Sequence, residues 1–225
     1  MRDDRAPAIG AALAVLLAVA AAAALYGGFT GAGPGTLDDP VLGDALALRS
    51  PDLTAAAVAV TEIGRPLLMA PLAVAVGIWS WWRGRRADAV FVVATMAGAS
   101  VLFSGLKNVL DRLRPPELIR LVEETSESLP SGHATMSMTV IGSLVVLAWA
   151  GLGVAGRVAA VLAAGSWVGA VGATRIYLGV HWFSDVVAGW LVGAAWLAAC
   201  AAVWTWWRRH RSREPGAVRD GVSAP

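Results

Sequence analysis

Six stretches of this sequence stay apolar for roughly the 20 residues that a helix needs to cross about 30 Å of hydrocarbon. They run from about Ala8 to Tyr26, Thr61 to Trp82, Asp88 to Leu106, Ala134 to Leu152, Val158 to Ala173 and Val186 to Trp207. Hydrocarbon offers no water to exposed backbone N–H and C=O groups, so such runs must close their hydrogen bonds internally, as helices. The expected fold is an all-α integral membrane protein, a six-transmembrane-helix bundle. Composition agrees: the 225 residues are 57% hydrophobic and 15% charged, against about 25% charged in soluble domains. One membrane domain is expected over residues 1–207, with residues 208–225 as a basic, disordered cytoplasmic tail containing Pro215 and Gly216. A cleaved signal peptide is the alternative for the first stretch, and it would leave five spans without moving the outer loops. Against it, an apolar region of about 18 residues exceeds the usual signal-peptide core.

An even number of spans puts both termini on one side. On that side fall 11 cations: Arg2, Arg5, Arg83, Arg85, Arg86, Arg157, Arg208, Arg209, Arg211, Arg213 and Arg219. Opposite are 7: Arg49, Arg65, Lys107, Arg112, Arg114, Arg120 and Arg175. Because cytoplasmic loops carry the excess of Lys and Arg, the termini are expected in the cytoplasm. Indoles collect where the apolar core meets the headgroups, and Trp79, Trp81, Trp82, Trp149, Trp204, Trp206 and Trp207 all fall at predicted cytoplasmic ends. The net charge of +2 is spread beside apolar runs without a basic face, which argues against nucleic acid as a partner.

The loop from Gly27 to Pro51 is expected to be external, with a short interfacial helix near Asp39 to Leu48. A helix-compatible stretch from Leu53 to Trp82 would be about 45 Å long and would overshoot the bilayer. Glu62 and Arg65 in it are expected to form an ion pair at the outer interface. Cys200, the single cysteine, has no thiol partner and reads as packing. Gly165-x3-Gly169 and Gly189-x3-Gly193 permit close helix approach, within the bundle or in a homodimer.

Three polar clusters remain, and the topology brings all three to the outer membrane face. Lys107, the only lysine, lies seven residues before Arg114-Pro115, so on a continuing helix the two cations would share a face about 10 Å apart. Two cations on one face suit an anion; a pairing of Lys107 with Asp111 is the plainer alternative. In Pro130-Ser131-Gly132-His133, Ser131 is placed to cap the fourth span, whose first-turn amides beside Gly132 form an anion site with His133 in reach. The plainer reading is an ordinary cap and a solvent-facing histidine. The third cluster is Thr174-Arg175, His181 and Asp185, where a carboxylate one helical turn from an imidazole can hold its N–H and fix which ring nitrogen attacks. Alone, such a pair is more often a capping or structural contact, and Arg175 and the other two clusters weigh against that. His210, in the basic tail, has no such company and is expected to be solvated. Glu123, Glu124 and Glu127 are expected to form a solvated face or to pair with Arg112 and Arg120.

Together, Lys107-x6-Arg114-Pro115, Pro130-Ser131-Gly132-His133 and Arg175-x5-His181-x3-Asp185 resemble the signature of the type 2 phosphatidic acid phosphatase family, within the superfamily of bacterial acid phosphatases and vanadium haloperoxidases. The likeness spans Lys107 to Asp185, about a third of the chain. The family commonly has Ser where Thr174 stands; the hydroxyl is kept, so little effect is expected. The resemblance implies a multi-pass enzyme of the cell membrane that hydrolyses a lipid phosphomonoester or pyrophosphate. Phosphatidic acid, phosphatidylglycerol phosphate and undecaprenyl pyrophosphate all fit. It implies catalysis by His181 as nucleophile, attacking phosphorus to give a phosphohistidine, with Asp185 orienting it and His133 protonating the leaving lipid oxygen before activating water. Lys107, Arg114, Ser131, Gly132 and Arg175 would bind the substrate phosphate, with no cofactor.

Three rivals stand beside this. His133, His181 and Asp185 could bind zinc, although three neighbouring cations would repel it. The phosphohistidine could pass its phosphate to an acceptor other than water, making the protein a lipid phosphotransferase. The pocket could also serve a non-catalytic lipid-phosphate binding or transport protein.

Overall fold

The structure, a computed structural model, describes residues 6–211. Arg2, Arg5, Arg213 and Arg219, and the tail from residue 212 onward, lie outside the described residues. Within the described residues eight α-helices follow in order: α1 (Ala6–Thr30), α2 (Asp38–Ala47), α3 (Pro51–Ile63), α4 (Pro66–Trp82), α5 (Arg86–Leu110), α6 (Gly132–Ala148), α7 (Val154–Tyr177) and α8 (Phe183–Arg211). Five of them, α1, α5, α6, α7 and α8, are long and apolar enough to cross a bilayer, and the α3–α4 pair makes up the sixth span. The protein is an all-helical membrane bundle. Helix α8 continues to Arg211, so Arg208 to His210 extend the last span instead of starting the tail expected from residue 208.

The long third stretch is not one helix. It bends by 44° between α3 and α4, where Gly64 ends one helix and Arg65-Pro66 starts the next. Proline brings no amide and its ring disfavours a helical residue before it, so the break falls at Pro66. A Cβ on Gly64 would lie 2.5 Å from Val171 of α7, and only glycine lets this elbow press against that helix. Thr61, at the end of α3, is buried against α7. Glu62 and Arg65 form the expected exposed pair at 2.7 Å. Helix α2 lies within a residue of the interfacial helix foreseen in the outer loop.

Helix α8 organises the bundle. It lies antiparallel to α1, with Gly10 beside Ala202 at one end and Gly28 beside Ser184 at the other. Against α6 the approach is closer: a Cβ on Gly189 would be 2.7 Å from the Ser131 carbonyl oxygen, and one on Gly193 2.8 Å from that of Thr135. Glycine inside a helix costs about 1 kcal/mol relative to alanine, which backbone-close packing offsets. The Gly189 and Gly193 pair is thus used within the bundle, whereas Gly165 and Gly169 on α7 have no such neighbour among the described residues. This α6–α8 contact lets Ser131 N–H donate to the Asp185 carbonyl at 3.0 Å, which joins the second polar cluster to the third.

Candidate active site

The site residues stand at helix ends and in the turns beside them, and the local chain explains why. Helix α5 stops at Leu110 because Asp111 takes a left-handed φ of 44° and Pro115 and Pro116 bar continuation. Lys107 therefore sits in the last turn of α5, whereas Arg114 lies in the following loop and folds back. This corrects the expectation of a shared helical face. Lys107 does not pair with Asp111; its Nζ donates to Ser126 Oγ at 3.2 Å and to the Glu127 carbonyl. Arg114 donates to the carbonyls of Ser126 (2.6 Å), Glu127 (3.2 Å) and Val180 (2.5 Å). Both cations are buried.

Ser131 caps α6, its Oγ accepting from Ala134 N–H at 3.5 Å. The first-turn amides of Gly132 and His133 have no helical carbonyl to reach. Gly132 sits tight against the Phe103 ring, where a Cβ would come to 3.0 Å. His133 follows, half-buried, within electrostatic range of Arg175, His181 and Arg114.

Arg175 lies in the last turn of α7, not past its end as the span limit at Ala173 suggested. Gly179, at φ 73°, turns the chain out of α7, and the Arg175 carbonyl accepts from both Val180 and His181 N–H, at 3.1 and 3.2 Å. The five-residue spacing between Arg175 and His181 is the length of this wrapped helix end. Thr174, at the family's usual serine position, ties its hydroxyl to the Val171 carbonyl at 2.7 Å.

The geometry around His181 is directional. Nδ1 faces Asp185 Oδ2 at 3.3 Å, and Nε2 faces Arg114 Nη1 at 3.1 Å. A carboxylate on Nδ1 keeps the proton there and leaves the Nε2 lone pair toward the cations. His181 is 1% exposed. Burial first, then the charges of Arg114, Arg175 and Lys107, hold its imidazole well below the ordinary value, which favours the neutral ring. Asp185 is fixed in turn: Oδ2 accepts from Trp182 N–H (2.9 Å) and Ser128 Oγ, and Oδ1 from Arg112 Nη1 (2.5 Å).

Several of these partners were not legible in the sequence. Arg112 pairs with Asp185 and Asp38, not with the loop glutamates. Asp38, at the start of α2, accepts from Arg112 Nη2 (2.6 Å), Ser184 N–H (2.8 Å) and Ser184 Oγ (2.8 Å), reaching across 146 residues. Thr61 accepts from Arg175 Nη1 at 2.8 Å. Glu124 is not on a solvated face: its carboxylate contacts Arg175 Nη2 and lies 3.6 Å from Arg114 Nη2. Arg120 bonds the Pro115 carbonyl and lies 3.8 Å from Glu117. His210 is exposed on the last turn of α8. Among the described residues, no three His, Cys, Asp or Glu side chains are grouped as metal ligands.

Three buried cations and one neutral imidazole thus cluster with the partly exposed carboxylate of Glu124. Among the described residues Arg175 Nε is buried with no hydrogen-bond partner. An orphaned guanidinium donor in a cationic pocket is what an incoming anion would satisfy.

Known proteins resemble this chain in sequence and fold. The chain is 29% identical over 159 residues to phosphatidylglycerophosphatase B of Bacillus subtilis, covering 69% of this chain and 77% of that one. It is 33% identical over 118 residues to an undecaprenyl-diphosphatase of Sulfolobus acidocaldarius, covering 50% of this chain and 53% of that protein. Its fold matches the crystal structure of a transmembrane PAP2-type phosphatidylglycerolphosphate phosphatase from Bacillus subtilis with a TM-score of 0.77. That match is 23% identical and covers 90% of this chain and 99% of the other. The model of the PAP2 superfamily matches residues 88–210, over half of the chain and all three polar clusters, and the protein belongs to that superfamily.

Proposed function

We propose that the protein is a membrane lipid phosphatase that works through a phosphohistidine on His181 Nε2. The observation that carries this is the orientation of His181: Asp185 holds Nδ1, and Nε2 points at buried cations that have no full complement of anions. Phosphoryl transfer needs an aligned nucleophile and fixed positive charge around the equatorial oxygens, with little other chemistry. Lys107, Arg114 and Arg175 supply the charge, and Ser131 and the Gly132 amide supply further donors. His181 Nε2 attacks phosphorus as the bond to the lipid oxygen breaks, and His133, which enters the step as imidazolium beside the anionic phosphate, gives that oxygen a proton and is left neutral. His133 then takes a proton from water, whose oxygen attacks the phosphohistidine, releasing inorganic phosphate and restoring the neutral imidazole.

The relatives named as a phosphatidylglycerophosphatase and an undecaprenyl-diphosphatase support a lipid mono- or diphosphate as substrate. The excess of arginine on the side of the termini supports a site facing out of the cytoplasm, in the cell membrane, where a lipid presents its phosphate while its tails stay in hydrocarbon. The test is phosphate release by the purified protein from phosphatidic acid, phosphatidylglycerol phosphate and undecaprenyl pyrophosphate, in chelator, beside His181→Ala. Release by wild type alone is expected, with an acid-labile phosphoprotein trapped on quenching. Equal inactivity of wild type and variant on every lipid would sink the proposal, and activity that chelator abolishes and zinc restores would favour a metal centre.

A further inference from the structure

Glu124 carries an inference that rests on the phosphatase reading and adds to it. Its carboxylate is set among the phosphate-binding cations: it contacts Arg175 Nη2 and lies 3.6 Å from Arg114 Nη2, so it bridges residues from two of the three clusters. Both arginines are buried, while the Glu124 side chain keeps 24% exposure. The carboxylate does not saturate them, since Arg175 Nε stays without a partner among the described residues. Nor is Glu124 held on its other side by a helix. It belongs to the outer loop between α5 and α6, where it lines a recess of about 420 Å³ together with Arg120, Glu123 and Thr125.

We propose that Glu124 is an internal stand-in for the substrate phosphate. In the empty site its carboxylate holds the anion position between Arg114 and Arg175, and it withdraws into the adjoining recess when a phosphate enters. Two physical points favour this. Buried guanidinium groups stranded without an anion are costly, so an empty pocket of this charge needs a counter-ion, and a tethered carboxylate supplies one. A phosphate monoester carries a charge of about −1.5 to −2 and three acceptor oxygens, so it can displace a single carboxylate and also engage the orphan Nε. The recess is lined by Arg120, 3.8 Å from the exposed Glu117 and near Glu123, and Arg120 is the cation that receives Glu124 after it leaves. Every entering anion must compete with this carboxylate, so apparent affinity is reduced by the fraction of sites in which it is closed.

The experiment uses the full chain in detergent and inorganic phosphate as probe. Binding is read by calorimetry, and competitive inhibition is read against release from phosphatidic acid. Glu124→Gln, which keeps the shape and removes the charge, is expected to bind phosphate roughly five- to tenfold more tightly, with the inhibition constant and KM falling together. Glu124→Asp, one carbon shorter, keeps the charge but spans the two arginines poorly, and is expected to fall between them; it also serves if the glutamine variant does not fold. A lesion that merely loosened the site would weaken phosphate binding. Unchanged or weaker phosphate binding in both variants, with wild type active, overturns the stand-in alone. A wild type that neither binds phosphate nor releases it from any lipid overturns the phosphatase reading instead.

Discussion

Each end of the bundle buries charged side chains, and the two ends neutralise them in opposite ways. At the tryptophan end, where α4, α6 and α8 finish, Asp88 is 3% exposed and accepts from Arg85 (2.6 Å), Trp204 Nε1 (3.1 Å) and Arg208 (3.5 Å). Those two arginines keep 44% and 52% exposure, and Arg208 also lies over the Trp204 ring. Arg83, Arg86 and Arg157 stack on Trp79, Trp81 and Trp149 in the same belt. The anion is inside and the cations reach water, so each charge has a partner or solvent. At the histidine end the arrangement reverses: Lys107, Arg114 and Arg175 are buried, and the carboxylate nearest to two of them is partly exposed. A network that closes on itself anchors a helix end. One that buries cations in excess is incomplete without an anion, which is how an ionic cluster can be read as a binding site and not as a structural contact.

Replacing one residue at each end gives the largest contrast. His181→Ala is expected to lower turnover by on the order of a thousandfold or more, the scale of losing a nucleophile. Asp88→Asn is expected to leave turnover per folded molecule unchanged and to lower Tm by about 2–4 °C, matching the loss of about 1 kcal/mol from a charged hydrogen-bond set. Phosphate release and thermal unfolding on the same preparations check both. If Asp88→Asn reduced turnover per folded molecule as strongly, the division between the two ends would collapse.

A smaller effect separates geometry from charge within the histidine end. Arg175→Lys keeps the charge but loses the fork that reaches Thr61 and Glu124 at once. It is expected to cost about a hundredfold in kcat/KM, the scale of removing one donor that stabilises developing charge. Near-normal kcat/KM would mean that charge alone suffices there.

What sequence showed and what it missed follow the same division. The spans were legible because hydrocarbon imposes length and composition on every crossing. The three clusters were legible because polar residues at span ends stand out against alanine and valine. The break at Gly64-Arg65-Pro66 had a local signal in the proline, yet continuous apolarity through Trp82 hid it. Arg112 looked like one more flanking charge beside Arg114. Asp38, Ser184 and Thr61 could not be placed, and Glu124 was given the wrong partners, because their contacts join segments far apart in the chain and follow neither helical period nor motif spacing. Loops that fold over a site are paired by tertiary structure, and no periodicity announces it.

Asp38 tests one of those missed contacts. It touches no reacting group; it holds Arg112 and Ser184, and Arg112 holds Asp185. Asp38→Asn places an amide donor against one of three donors, so Arg112 is expected to shift and the His181–Asp185 pair to lose alignment. Turnover should fall roughly tenfold, since small misplacements of a reacting group carry penalties of this order. KM should stay within the error of the assay, because Asp38 bonds to Arg112 and Ser184 and not to the cations that would hold the phosphate. Equal loss in KM, or less folded protein with normal turnover, would make Asp38 a purely structural anchor.

A further effect is in stability against pH, and it follows from how His181 is buried. Its imidazole, in the turn between α7 and α8, is held well below its ordinary value, first by burial and then by Arg114, Arg175 and Lys107. In the unfolded chain the same ring titrates near 6.5. Below that pH the unfolded state takes up a proton that the folded state refuses, so protonation favours unfolding. The contribution of neutral His181 is therefore complete above about pH 6.5 and is lost as pH falls, at up to about 1.4 kcal/mol per pH unit until the depressed folded value is reached. Wild type should accordingly show a rising Tm from pH 5 to pH 7, and His181→Asn, which has no proton to take, should show a shallower rise. The difference between the two slopes isolates this residue from every other titrating group. Parallel slopes would mean that His181 is solvated and protonates as freely folded as unfolded, and the neutral nucleophile at the histidine end would have to be abandoned.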